Sequence, residues 1–212
     1  MSEMSALIKW TPFLLGGFVW NIVIGVLAMT IGSLLGVVLA SLRLSDKKWL
    51  RNISYGLTTL SCNVPTIVFH FYLVIMLPSD WAIPGLEWTI NFPAWLKASL
   101  ALAIAVLGFT SNNLMIALRQ WRAGNHAAAM LFIPAWINYM LIIIMASSTA
   151  SIIGVSEILS RCNIVISASN YGSDGRLMLP VYLYVSMIFL SFCYPLNCLM
   201  KKLQSYLREK YV

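Results

Sequence analysis

The sequence predicts an all-α, polytopic membrane protein: one domain, residues 1–212, crossing the bilayer five times, N-terminus outside and C-terminus cytoplasmic. Three observations lead there. The chain is 60% hydrophobic and only 10% charged, where water-soluble domains carry about 25% charged residues. Its apolar residues form long continuous runs, and a bilayer core about 30 Å thick needs about 20 apolar residues in helix to cross it. Its lysines and arginines sit in short clusters between those runs. The runs do not alternate, so helices are indicated rather than a barrel.

Taken in order, the expected spans are about residues 13–42, 52–77, 94–118, 127–147 and 177–200. The first has no charged residue and is too long for a signal-peptide core. Along it Ala28, Gly32, Gly36 and Ala40 recur every four residues. They form a ridge where another helix backbone can come close, either inside the chain or at a subunit interface. Arg43–Arg51 is the first basic loop. The second span carries Tyr55, Thr58, Thr59, Ser61, Asn63, Pro65 and His70. Leu77–Pro93 is read as a loop, in which Trp81 and Trp88, with Trp95 beyond it, suit an interfacial belt. The third span ends at a short basic loop, Arg119–His126. The fourth ends in a Ser/Thr cluster, and a connection from Ile158 to Arg176 leads to the fifth.

Sidedness follows from charge. The loops Arg43–Arg51 and Arg119–His126 plus the tail hold ten of the fourteen Lys/Arg, and Lys9, Lys97, Arg161 and Arg176 are the other four. The positive-inside rule puts the richer side in the cytoplasm, and an odd number of spans places the termini on opposite sides. The net charge of +7 is therefore topological, and a nucleic-acid partner is not indicated. Cys62, Cys162, Cys193 and Cys198 show no metal-ligand spacing and read as small packing residues.

Asn21, Asn63, His70, Asn112, Asn113 and Asn138 put hydrogen-bonding groups into hydrocarbon, so they face the bundle interior. They either line a substrate path or bond between helices. Thr110-Ser111-Asn112-Asn113 is the densest such patch. No carboxylate accompanies His70 on any span, which disfavours a proton relay. No HExxH, GxSxG or P-loop motif is present, so no catalytic site, metal or cofactor is expected.

Several stretches together resemble the permease subunit of ATP-binding cassette (ABC) importers for polar amino acids. Ser147-Ser-Thr-Ala-Ser-Ile-Ile-Gly-Val-Ser-Glu157-Ile158 is similar to that family's Thr-Ser-Leu-Ala-Ser-Val-Ile-Gly-Val-Pro-Glu-Leu. Gly32–Ser45 resembles the end of its first span, and Pro65 with Phe71 and Tyr72 resembles its Arg-Gly-Thr-Pro stretch and the aromatics after it. Gly108-Phe-Thr-Ser-Asn112 resembles Ala-Tyr-Thr-Ala-Glu, Gly124-Asn-His-Ala-Ala-Ala129 resembles Gly-Gln-x-Glu-Ala-Ala, and Pro134–Asn138 resembles Pro-Pro-x-x-Asn. The resemblance implies a non-enzymatic membrane subunit in the bacterial inner membrane. Its expected partners are a second permease (or a second copy), a cytoplasmic ATPase and a periplasmic binding protein. Asn112, Asn113, Asn138, Ser147, Ser148 and Ser151 become candidate pathway residues. Arg119, Arg122, Gly124, Asn125, His126, Ala127, Ala128 and Ala129 become the candidate ATPase-facing loop.

The departures are physical. The family's glutamates appear as Asn112 and Ala127. In the family a glycine and a further helix follow the alanines and dock in the ATPase, whereas here the chain runs from Ala129 through Pro134 straight into a span. Eight residues, Arg119–His126, separate the two spans, and connections of about 2–8 residues are simple turns. The alternative to a transporting subunit is thus a transport-inactive relative acting as an assembly or scaffold subunit.

Overall fold

The computed structural model describes residues 3–82, 89–169 and 178–211. Helix α1 (Glu3–Arg43) is 41 residues long, about 60 Å at 1.5 Å per residue. Its main neighbour is α4 (Ala94–Arg122). The two run in the same direction: Trp20 meets Trp95 at 6.0 Å between ring centroids, and Gly36, further along, lies against Thr110. Ala28, Gly32, Gly36 and Ala40 are all buried. A Cβ on Gly32 would stand 2.5 Å from the Ala103 carbonyl oxygen, and one on Gly36 2.6 Å from Thr110 Cβ. The ridge therefore packs within the chain, against α4, and is not an open subunit surface.

The expected second span is not one helix. It divides into α2 (Lys48–Asn63) and α3 (Thr66–Met76), bent by 101°. Pro65 has no N–H to donate, and its ring drives the preceding residue out of helical geometry; Val64 is extended at φ −87, ψ 128. The pair still traverses the length of α4. Thr58 Oγ1 bonds Ser111 Oγ at 2.8 Å near one end. At the other, Lys97 Nζ donates to the Leu77 carbonyl at 2.7 Å.

Within the expected loop 77–93, β1 (Asp80–Ala82) and β2 (Thr89–Asn91) pair antiparallel with Trp81 opposite Ile90. Trp88 lies outside the described residues. Helices α5 (His126–Met130) and α6 (Phe132–Ala146) continue into a 3₁₀ turn, Ser147–Ile153. Helix α6 opposes α1, with Trp136 Nε1 donating to Ser33 Oγ at 2.8 Å. The expected connection after Ile158 is in its first part a helix, α7 (Ile158–Ser169); residues 170–177 lie outside the described residues. Helix α8 (Met178–Tyr211) runs with α1, Thr11 bonding Tyr184 at 2.8 Å and Phe18 meeting Phe189 and Phe192 edge-on.

The result is a multi-pass helical bundle. Among the described residues four helices, Leu7–Arg43, Ala94–Arg122, His126–Ile153 and Met178–Leu207, are long and apolar enough to cross a membrane, and the bent pair α2–α3 counts as a fifth candidate when taken as one span. One core surrounds Ile24, Met29, Leu102, Val106 and Ile143; a second joins Leu14, Phe18, Ile158, Val165, Val181 and Val185. All four cysteines are free thiols, and Cys162 is buried in the second core.

Replacing Gly32 with leucine forces α1 away from α4. An overpacking cost of about 1–3 kcal/mol is expected, seen as a lower melting temperature and lost monodispersity in detergent. Gly56, with nothing within 4 Å of a built Cβ, tolerates alanine without loss.

Candidate functional site

The break between α2 and α3 opens a cavity of about 400 Å³. Ser61, Cys62, Val64, Pro65 and Thr66 supply one wall, and Ala105, Phe109, Asn112, Asn113 and Tyr139 the other. Proline interrupts the helical ladder, and in a membrane such irregular backbone persists where it lines a protein cavity. Phe109 and Tyr139 stack face to face, 3.8 Å between centroids and 2° from parallel, which fixes the apolar side.

Polar groups hold the opposite side. Asn112 Oδ1 accepts a hydrogen bond from Arg43 Nη1, and Asn112 Nδ2 donates to Cys62 Sγ at 3.3 Å. Arg43 also lies over the Tyr55 ring, 5.1 Å from its centroid. Asn113 Nδ2 donates to its own helix at the Phe109 carbonyl, 2.9 Å away. Asn138 is half-buried beside Tyr139 and is not among the described lining residues, and its Oδ1 has no partner among the described residues. His70, buried on α3, bonds the Thr66 carbonyl through Nδ1 at 2.9 Å, while its Nε2 has none among the described residues.

The serines expected on the same path lie elsewhere. Ser147 and Ser148 join a buried polar knot centred on Asn21 of α1. Asn21 Nδ2 donates to Ser147 Oγ at 2.9 Å and to Glu157 Oε2 at 3.0 Å, and sits 3.3 Å from Ser148 Oγ. Asn21 Oδ1 accepts the Ile158 amide at 3.1 Å. The fully buried Glu157 accepts the Leu159 and Ser160 amides at 3.0 and 2.8 Å. Three amides at the start of α7 are thus satisfied by two side chains, and the carboxylate sits at the positive end of that helix. Arg161 then reaches back to the Phe13 carbonyl at 2.7 Å. Ser151 borders a separate open groove of about 680 Å³, with Ser160, Asn163 and Ser167 of α7.

The sequence reading singled out Asn21 but not Glu157 or Arg43. The signal for Glu157 was its isolation: one acid directly after a long uncharged run.

The basic loop is a tight turn. Helix α4 ends at Arg122 and Gly124 takes φ +82, a conformation open to glycine. Asn125 Oδ1 accepts the Ala128 amide at 3.2 Å and so starts α5. Trp121 packs edge-on against His126 at 4.4 Å. Arg119, Arg122, Gly124, Asn125 and His126 are exposed, Ala127 and Ala128 half-buried and Ala129 buried. Helix α5 is five residues long and leans on α4 and α8.

No protein-family model and no curated protein matches the sequence. A solved structure does match the fold. A chain in the crystal structure of an amino acid ABC transporter with histidines superposes with a TM-score of 0.77, covering 97% of this chain and 99% of that one at 17% identity. The two chains share one fold from end to end.

Asn21→Leu removes the acceptor of the Ile158 amide and the donor to Glu157. Leaving buried polar groups without partners costs about 1–3 kcal/mol each, so a clear drop in melting temperature is expected. Detachment of α7 would appear as faster amide hydrogen exchange at Leu159–Val165.

Proposed function

We propose that the chain is the transmembrane subunit of an ABC-type importer for amino acids in a bacterial inner membrane, paired with a second, more complete permease subunit. The observation that carries this reading is the end-to-end likeness in fold to a chain of an amino acid transporter, at a TM-score of 0.77. The broken crossing supports it. Discontinuous helices that enclose a polar cavity are a recurring way of building a substrate path through a membrane. In this reading Asn112 and Asn113 line the path, with Asn138 beside them. Ser151 borders the outer approach, and Ser147 and Ser148 hold the lining in place through Asn21. The Arg43 and Arg119–His126 end faces the cytoplasm by its charge, and ATP hydrolysis belongs to a separate subunit. A periplasmic binding protein delivers the substrate.

A scaffold role is the second reading, and the loop geometry favours it. A turn of three residues followed by a five-residue helix leaning on α8 offers little for an ATPase to grip.

Affinity purification in mild detergent is expected to bring down a second permease and an ATPase, and reconstituted vesicles are expected to show ATP-dependent uptake of an amino acid. Absence of both companions would count decisively against the importer. Inserting a docking helix after Ala129 separates the two readings: increased ATPase binding with faster uptake marks a weakly coupled transporter, and no change marks a scaffold.

A further inference from the structure

We propose that the cavity at the α2–α3 break selects by charge: it takes amino acids through their α-carboxylate and disfavours those with a cationic side chain. The inference rests on the importer reading and adds the substrate class. Arg43 brings a positive charge to the cavity wall. It reaches the wall through Asn112, which in turn bonds Cys62 across it. Among the described residues Arg43 has no carboxylate partner; its other contact is the face of Tyr55. None of the residues described as lining the cavity is Asp or Glu. A half-buried guanidinium held by a neutral amide and a ring keeps a charge to be matched, and a carboxylate matches its planar fork with two parallel hydrogen bonds. The Asn112 side-chain carbonyl accepts from one arm of that fork and is the group a carboxylate would displace.

The other half of a zwitterion is also provided for. Pro65 has no N–H, so the Ser61 carbonyl lacks its donor four residues on, and the Cys62 and Asn63 carbonyls lie at the negative end of α2. Such unwound carbonyls suit an ammonium group. The stacked Phe109 and Tyr139 face whatever side chain remains. A cationic side chain there would meet the field of Arg43 without a counter-charge.

The test uses the full chain in nanodiscs together with the subunits that co-purify, and equilibrium binding of radiolabelled L-glutamine and L-arginine. L-glutamine is expected to bind at least about tenfold tighter than L-arginine, and glutamine with its α-carboxylate amidated is expected not to compete. Arg43→Gln is expected to weaken glutamine about tenfold. Asn112→Asp, nearly isosteric, neutralises Arg43 and is expected to weaken glutamine while strengthening arginine; it carries the test if Arg43→Gln does not fold. Native protein that binds arginine as tightly as glutamine, or an amidated glutamine that competes fully, overturns the charge rule and leaves the importer standing. A native complex that binds no amino acid overturns both.

Discussion

The close approach of α1 and α4 is the constraint on which the remaining elements hang. Lipid tails are as apolar as leucine, so burial alone does not hold helices together in a bilayer; close packing and interhelical hydrogen bonds do. Helix α1 provides that packing with glycines at intervals. Gly32 and Gly36 seat α4, Gly25 admits Ile144 of α6, and Gly17 admits the backbone of Ile158 at the start of α7. Hydrogen bonds then fix register. Ser54 of α2 donates to the Leu39 carbonyl at 2.7 Å, and Trp136 of α6 donates to Ser33. One long helix is in this way the common wall of the bundle.

Two polar networks are spaced along that wall. Midway along it Asn21 ties α1 to the 3₁₀ turn and to α7 through Glu157. At its C-terminal end Arg43 ties α1 to α4 through Asn112, and Asn112 reaches α2 at Cys62. The two differ in completeness. The carboxylate of Glu157 is surrounded by donors, whereas the guanidinium of Arg43 faces a neutral acceptor beside an open cavity. A satisfied network holds parts together; an under-matched one next to free volume is where a ligand gains most.

Much of the fold was legible because hydrophobic runs and charge clusters are local signals. Four crossings follow from them directly. The direction of a helix is not so written. The run 52–77 holds no Asp, Glu, Lys or Arg, and only Pro65 marks the 101° bend that divides it. Helix α7 escaped because one face carries Ser160, Asn163 and Ser167, which lowers its hydropathy to that of a connection, while Ile158, Cys162 and Val165 are buried. Small residues at Gly32 and Gly36 announced a close contact, but a spacing of four does not name the partner. Asn112 and Asn113 stood out as polar residues in hydrocarbon. Asn21 and Glu157, separated by 136 residues, could be paired only by the fold, and Arg43 read as one more basic residue in a loop.

The turn at Arg122–His126 bears most on how such a chain could be driven. A motor moves a membrane subunit only if its contacts differ between the motor's states, since a partner with equal affinity for two conformations shifts neither. Here the exposed part of the turn is short, and α5 is braced against α4 and α8, so little surface remains to change contact. Yet α4 carries both that turn and Asn112, so any force reaching the turn is transmitted along one rigid helix to the side chain at the cavity wall. On the proposed pairing with a fuller subunit, such a chain would follow its partner's motion through the membrane interface, with its own turn steadying α4 rather than levering it.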